Sequence, residues 1–489
     1  MANEHYFLAL DLGAESGRGE IVTLAGGKVK MEEVRRWPNR PVRLAGTLYW
    51  DFPFLFAEII ETIRTCVHRG IKLSGMGVDT WGVDFGLLDS QGKLLSNPVH
   101  YRDARTDGIH DYSDPIMSRE EIYAATAVEP WQISSLFQLL AMQRDGSPLL
   151  DAAGTFLNMP DLFHYFLTGV RKAEKSIVNT SNLLDTSCKW AGEVISRFKL
   201  PGKMFPELIE PATVIGPLQP GVREQTGLND VPVIAVCGHD TSSAVAAVPG
   251  RGDNWAFLSC GTWSIFGEVM EKPIATKECL ELGFTNEYAI GEWYLARNIS
   301  GLWLVQELRR KWDNSSDPWD YARMTAEATK ARRATLINVA DKSLLAPADM
   351  EEALLKLIGK SGQRGPSGRG ELVRSTLESL ALEYNYRLDA IGCVTHRRPE
   401  AIYMVGGGVR NTLLCQLTAN ACGVDVYAGA DQCTALGNAL GQALAVGILK
   451  DEQEIRQVMR DSFELAHYTP KDSAAWAEKR KRYAELQNL

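Results

Sequence analysis

Basic residues do not outnumber acidic ones in this chain: Lys and Arg total 52 against 61 Asp and Glu, a formal net charge of −9. No basic stripe stands out either, so no nucleic-acid partner is expected. No apolar run reaches the roughly 18 residues a membrane helix needs, so no membrane partner is expected. The opening Met-Ala-Asn-Glu-His lacks the charged-then-apolar layout of a secretion signal, which predicts a cytoplasmic protein. The nine cysteines are scattered and none forms a Cys-x-x-Cys pair. Free buried thiols are therefore expected rather than disulfides or zinc. The glycosylation-type tripeptides at Asn179, Asn298 and Asn314 carry no meaning without export. The Gly-x-x-x-x-Gly-Lys-Ser/Thr loop is absent, and no Gly-x-Gly-x-x-Gly joins a strand to a helix.

What is present is globular: 489 residues, 45% hydrophobic and 23% charged, long enough for two or three domains. Two short segments share one design half a chain apart. The first is Tyr6-Phe-Leu-Ala-Leu-Asp-Leu-Gly-Ala-Glu-Ser-Gly-Arg18, the second Trp255-Ala-Phe-Leu-Ser-Cys-Gly-Thr-Trp-Ser-Ile-Phe266. Each reads as an apolar strand, a tight turn of Gly and small hydroxyl residues, and a second strand. Such a turn gathers backbone N–H groups into an anion-binding concavity. Two of them predict two related domains gripping one polyphosphate, with a boundary in the turn-rich Pro249–Gly252 and domains over 1–248 and 249–489. Helices are predicted over 53–69, 161–168 and 411–421, and along the face marked by Val373, Leu377, Leu380, Tyr384 and Leu388. The stretch 75–89 alternates toward a strand pair that turns at Gln91-Gly92, 359–370 reads as a flexible loop, and 474–489 as a charged, solvated helical end.

Five segments could carry chemistry. In the first turn, Gly13 and Gly17 are read as supplying backbone angles closed to other residues. Asp11 could hold a hydrated Mg²⁺, and Arg18 could meet phosphate charge. In the second turn, Thr262 offers a hydroxyl beside its amide. In Val236-Cys-Gly-His-Asp-Thr-Ser243 a strand gives way to a helix, and Asp240 there could accept a hydroxyl proton as general base. An ordinary N-cap is the alternative for Asp240, and a satisfied partly buried histidine for His239. Gly406, Gly407 and Gly408 would let a flat ring lie against bare backbone. Asp79, Trp81 and Asp84, with Arg102 and Arg105, suit a polyol, although Trp81 could equally be a core side chain.

These segments, in this order over residues 6 to about 445, resemble the FGGY family of carbohydrate kinases. The family has the actin/hexokinase-like fold. The residues that carry the likeness are Asp11–Arg18, Asp79–Phe85, Tyr101–Arg105, Pro160-Asp161 with Leu167–Gly169, His239–Thr241, Leu258–Ser264, Asn298–Trp303, and Val405–Gly408 with Asn411–Leu414. Within the family the likeness is strongest to kinases of L-rhamnulose. The resemblance implies an α/β fold of two actin/hexokinase-like (ribonuclease H-like) domains flanking a central cleft. It implies ATP and Mg²⁺ as cofactors, and transfer of a phosphoryl group to O1 of L-rhamnulose in rhamnose breakdown. Carried over residue by residue, Asp240 is the general base, and Gly82, His239, Thr241 and Asn298 are ketose contacts beside Trp81 and Asp79. Ala14, Glu15, Ser16, Gly17, Arg18, Thr262, Gln306 and Gly407 fall on the ATP side, with Asp11 toward the metal. A monomer or homodimer is expected. A kinase of another ketose (L-fuculose or L-xylulose) and an actin-like ATPase switch remain as alternatives.

Overall fold

The strand His5–Leu12 (β1) is apolar along nearly its whole length and buried from Phe7 onward, as a central strand covered on both faces must be. In the computed structural model, which describes residues 4–228 and 230–487, it turns at 13–15 into Ser16–Ala25 (β2) and on into Lys28–Pro38 (β3). The helix Phe52–His68 (α1) follows, its start capped by Asp51, whose carboxylate accepts from the Phe54 amide. Its residues Phe52, Leu55, Ile59, Ile63 and Cys66 form one buried stripe at helical spacing. Leu73–Thr80 (β4), Thr213–Pro217 (β5) and Pro232–Ala235 (β6) complete a six-stranded sheet in the order β5-β6-β4-β1-β2-β3. The helix Asp240–Ala246 (α2) follows β6.

The second sheet repeats that plan. Trp255–Cys260 (β7) pairs antiparallel with Trp263–Met270 (β8), which neighbours Trp293–Ser300 (β9). The helices Trp303–Asp313 (α3), Tyr321–Lys330 (α4) and Arg369–Thr395 (α5) precede Ala401–Val405 (β10), the partner of β7 in parallel register. After Thr412–Cys422 (α6) comes Asp425–Ala428 (β11), parallel to β10. The chain closes with Cys433–Ala445 (α7), Ala466–Tyr468 (β12) and Ser473–Leu486 (α8). In both sheets the opening strand has an antiparallel hairpin partner on one side (β2, β8). On the other side it has two successive parallel strands (β4 and β6; β10 and β11), and then an antiparallel edge (β5, β12). The repeat read from two short segments thus extends to whole sheets.

The chain divides into two units: Met1–Pro249, Met270–Leu295 and Cys433–Ser462 in unit 1, and Gly250–Val269, Ala296–Gln432 and Phe463–Leu489 in unit 2. The segment containing α7 therefore folds with unit 1. There it crosses α2 so closely that a Cβ on Gly437 would lie 1.8 Å from the Ser243 carbonyl oxygen.

Three local readings change. The turn at Gln91-Gly92 is present, with the Asp89 amide donating to the Lys93 carbonyl, but the ladder partner of Phe85–Leu88 is Thr155–Asn158, antiparallel, and not β4, which is flanked by β1 and β6. Gly13 and Gly17 do not have positive φ; Gly17 is required because a Cβ there would meet the Trp37 ring at 2.3 Å. The end of the chain is helical to Leu486 and mostly exposed over 474–487, as expected (488 and 489 lie outside the described residues), but it is also anchored. In α8, Trp476 and Tyr483 are buried, and the Tyr483 hydroxyl donates to Glu383 on α5. Its buried stripe is thin, and the run Lys479-Arg-Lys-Arg482 hides it in the sequence. Among the described residues, no helix is long and apolar enough to cross a membrane.

Candidate functional site

Register brings the acidic residues of unit 1 together. Asp11, near the end of β1, lies opposite Arg18 on β2 and opposite Asp79 on β4. In-register neighbours on adjacent strands share a face. Asp11 and Arg18 form an ion pair at 3.0 Å. Burial raises the Asp11 pKa to about 6; the Arg18 charge works against that, and the Asp240 charge adds to it. Asp79 is wholly buried, which together with the Asp11 charge pushes its pKa well above the carboxylate range. The Asn438 amide on α7 donates to Asp79 at 2.6 Å, and Gln442, one turn on, donates to Asn438 at 2.7 Å. The turn at 13–15 is braced by Asn39, whose side chain donates to the Gly13 carbonyl and whose amide donates to the Glu15 carbonyl. Glu15 is exposed at its tip, while Ala14 and Ser16 are half-buried.

The end of β4 reaches the β6–α2 junction, where the Thr80 amide donates to the Gly238 carbonyl at 2.8 Å. Asp240 opens α2 with its side chain 30% exposed, and its carboxylate accepts from the Thr241 amide at 2.7 Å. Burial raises its pKa, and the His239 charge works against that shift. His239 stands with Nε2 3.4 Å from Asp240 and Nδ1 2.8 Å from Glu287. Burial opposes charge on His239, but Glu287, Asp240 and Glu174 outweigh it and raise the pKa to about 9.

The loop after β4 is held by one carboxylate. Asp84 accepts from the indole N–H of Trp50 at 2.6 Å, from that of Trp81 at 3.0 Å, from the Gln138 amide at 3.0 Å and from the Tyr101 amide at 3.2 Å. The Trp81 ring is buried and packs on Trp50 with centroids 4.0 Å apart. Val83 takes φ 70°, a region that β-branched residues rarely enter. The Thr180 hydroxyl accepts from the Val83 amide and donates to the Ile177 carbonyl, while Ser135 and Gln138 donate to the Val83 carbonyl. Gly82, beside it, leaves little spare room: a Cβ would lie 3.2 Å from Thr180.

In unit 2 the second turn is packed from behind by the start of α3. The amides of Leu302 and Trp303 donate to the carbonyls of Gly261 and Thr262. Gly301 is obligatory, since a Cβ would lie 2.6 Å from the Trp263 backbone. Gly261, Gln306 and Gly407 line one cavity of about 620 Å³, together with Tyr321, Met324 and Thr325 of α4 and with Arg410. Gly406 takes φ 82° directly behind Cys260. Asn298 is exposed on β9.

Of the residues singled out from the sequence, Asp11, the 14–18 turn, Asp79, Trp81, Gly82 and His239–Thr241 fall in unit 1. Thr262, Asn298, Gln306 and Gly407 fall in unit 2. Sequence reasoning missed Glu287, Trp50, Gln138, Asn438 and all of α4. Nothing near those positions departs from ordinary strand or helix composition.

Residues 6–247 match the N-terminal domain model of the FGGY family of carbohydrate kinases, and residues 256–446 match its C-terminal domain model. The chain belongs to this family. It is 40% identical over 473 residues to a rhamnulokinase from Bacteroides thetaiotaomicron, covering 96% of this chain and 97% of the relative. It is 34% identical to one from Halalkalibacterium halodurans, covering 96% and 99%. A solved xylulose kinase from Lactobacillus acidophilus superposes with a TM-score of 0.82 at 18% identity, covering 99% and 98%, which shows the two-domain FGGY fold.

Proposed function

We propose that this FGGY-family chain is a cytoplasmic, ATP-dependent kinase of L-rhamnulose. It forms L-rhamnulose 1-phosphate and ADP, and acts as a monomer or homodimer with no nucleic-acid or membrane partner. The substrate rests on the full-length similarity to rhamnulokinases. The reaction rests on one observation above others: a half-buried carboxylate, Asp240, at the start of α2 where β6 ends, with His239 Nε2 3.4 Å away. A switch that only hydrolyses nucleotide would need no polyol pocket beside that base.

In this reading Asp240 takes the O1 proton as O1 attacks the γ-phosphorus. The O1–P bond forms, the bond from that phosphorus to the bridging oxygen breaks, and ADP leaves with the electron pair. Phosphoryl transfer asks for positioning and charge stabilisation more than covalent chemistry. His239, Thr241, Gly82 and Asn298 would hold the ketose. Trp81 and Asp79 would act from behind them, since both are buried. The 14–18 turn would take phosphate through its amides, while Arg18 answers to Asp11. Thr262, Gln306 and Gly407 would hold the nucleoside end, for which the cavity of about 620 Å³ has the size and the largely apolar wall. We assign residues 1–248 chiefly to the sugar side, together with 270–295 and 433–462, which fold with them, and the rest of 249–489 chiefly to the ATP side.

The residues fit Mg²⁺. Asp11 is a buried carboxylate at the strand end whose Oδ2 is ion-paired with Arg18 at 3.0 Å, and Mg²⁺ commonly takes one carboxylate plus phosphate oxygens and water. Asp11 would hold the ion, which would offset phosphate charge.

ADP release with Mg-ATP against L-rhamnulose, L-fuculose, L-xylulose, D-xylulose, L-ribulose and glycerol tests the proposal. A preference for L-rhamnulose is expected. Preference for another ketose would overturn the substrate, and release indifferent to every sugar would overturn the kinase.

A further inference from the structure

The mechanism above uses His239 and Asp240 but not what stands behind them. Glu287 lies on the strand Thr285–Tyr288, with Oε2 2.8 Å from His239 Nδ1. The Tyr294 hydroxyl, wholly buried, donates to the same Oε2 at 2.6 Å. A phenol has one proton, so Tyr294 can only accept from Ser242, whose hydroxyl lies 2.9 Å away. Ser242, also wholly buried, sits two residues past Asp240 on α2. The result is a closed circuit: α2 carries both Asp240 and the serine that anchors the far end of the relay. The imidazole ring stands between two carboxylates, with one nitrogen toward each.

We propose that Glu287, braced by Tyr294 and Ser242, is a positioning residue that holds His239 as an imidazolium and thereby keeps Asp240 ionised as the proton acceptor. The inference rests on Asp240 being the base. The need for it is electrostatic. Four acids lie around Asp240: Asp11 and Asp79 at the strand ends and Glu174, which accepts from the Gly238 amide, all three with pKa values raised by burial, and Glu287 behind His239, which repels a charge on Asp240. The nearest positive charge is His239; Arg18 is engaged by Asp11. Burial favours the neutral form of Asp240, in which it could not accept a proton. Burial likewise discharges a histidine that lacks a carboxylate partner. Glu287 itself is held below the usual carboxylate range by His239 and Tyr294, against burial, so it remains a carboxylate. Its own repulsion of Asp240 is weaker than the attraction of the histidine it maintains, so the net effect is to ionise Asp240.

The test joins a spectrum to a rate. In protein labelled with ¹⁵N-histidine, with His239→Asn to assign the signal, the His239 ring nitrogens are followed through pH 5 to 9.5 in wild type and Glu287→Gln. The wild-type ring is expected to stay charged past pH 8 and the variant ring to be neutral at pH 7.5. The acid limb of kcat/KM for L-rhamnulose is expected to move up by about one pH unit in Glu287→Gln, with partial return in Glu287→Asp. Tyr294→Phe, which keeps the shape, should shift it in the same direction by less. A Glu287→Gln ring that remains charged at pH 7.5, or an acid limb that does not move, overturns the proposal. Asp240→Asn, assayed alongside, separates this failure from a wrong base. If Asp240→Asn is dead while Glu287→Gln keeps the wild-type profile, only the relay falls. If Asp240→Asn is active, the base assignment falls with it.

Discussion

The two strand–turn–strand hairpins are alike in sequence design and in sheet position, yet their chemistry is opposite. The β1–β2 turn is rimmed by charge: Asp11 and Arg18 flank it, Asp79 lies in register beside it, and the buried carboxylates carry raised pKa values. The β7–β8 turn carries no ionisable group apart from Cys260. Its Ser264 and Cys260 point back to the Tyr384 hydroxyl, and its Gly261 opens onto a largely apolar cavity. On the proposed reading, one repeated backbone plan would serve two tasks. The strand end that bears a carboxylate would meet phosphoryl charge, and the one that carries a small residue beside the cavity would seat the nucleoside.

If that division holds, changes at the first hairpin should act on rate and changes at the second on nucleotide affinity. Asp11→Asn should bring the largest loss, a fall in kcat of about 10²–10³ with weakened Mg²⁺ dependence, measured by ADP release over a Mg²⁺ titration. An unchanged kcat would remove charge handling from the first turn. Ala326→Trp, on the cavity wall, should raise the KM for ATP about tenfold or more while leaving ketose binding and kcat near wild type, since overfilling costs about 1–3 kcal/mol. A matching rise in ketose KM would show that the cavity is not reserved for the nucleotide. Glu20→Gln tests the cost of burying acids beside the first turn. Glu20 is 1% exposed, Oε2 has no partner, and burial lifts its pKa from 4.5 to about 7. A raised folded-state pKa means that stability is full below pH 4.5 and is lost as pH rises through 7. Denaturant unfolding should therefore find Glu20→Gln more stable than wild type at pH 8 by about 1–3 kcal/mol, with the gap closing below pH 4.5. A gap independent of pH would refute it. Thr262→Ala should have the smallest effect, raising the KM for ATP about fivefold through loss of one hydroxyl. A drop in kcat instead would give the second turn a share in the transfer itself.

The sequence announced the parts of the fold whose signals are local. Apolar strands ending in Gly turns, Gly169 closing the helix Met159–Thr168 at φ 80°, and the apolar face of α5 all lie within one window of residues. It hid what depends on distant partners. Gly17 looked like a conformational glycine but is one because Trp37, on the next strand, occupies the place of its side chain. Asp84 looked like one more polyol ligand, and instead ties together Trp50, Trp81 and Gln138 from three separate elements. Glu287, about fifty residues beyond His239, sits in a strand of ordinary composition, and only the fold brings it to the imidazole. Asp240 and the acid at Asp11 were legible because strand ends and helix starts are where such side chains become available. The helix α4 was not, because a cavity wall of Ala, Met and Thr has the composition of any helix.

The most direct measurement is on Asp240→Asn. Calorimetric titration with ATP and with L-rhamnulose should give affinities near wild type, while ADP release falls by about 10²–10⁴, the share a positioned general base supplies. A variant that binds both and keeps most of its rate would contradict the assignment of Asp240 as the base, and with it the reading of the charged hairpin as the place where the phosphoryl group is transferred.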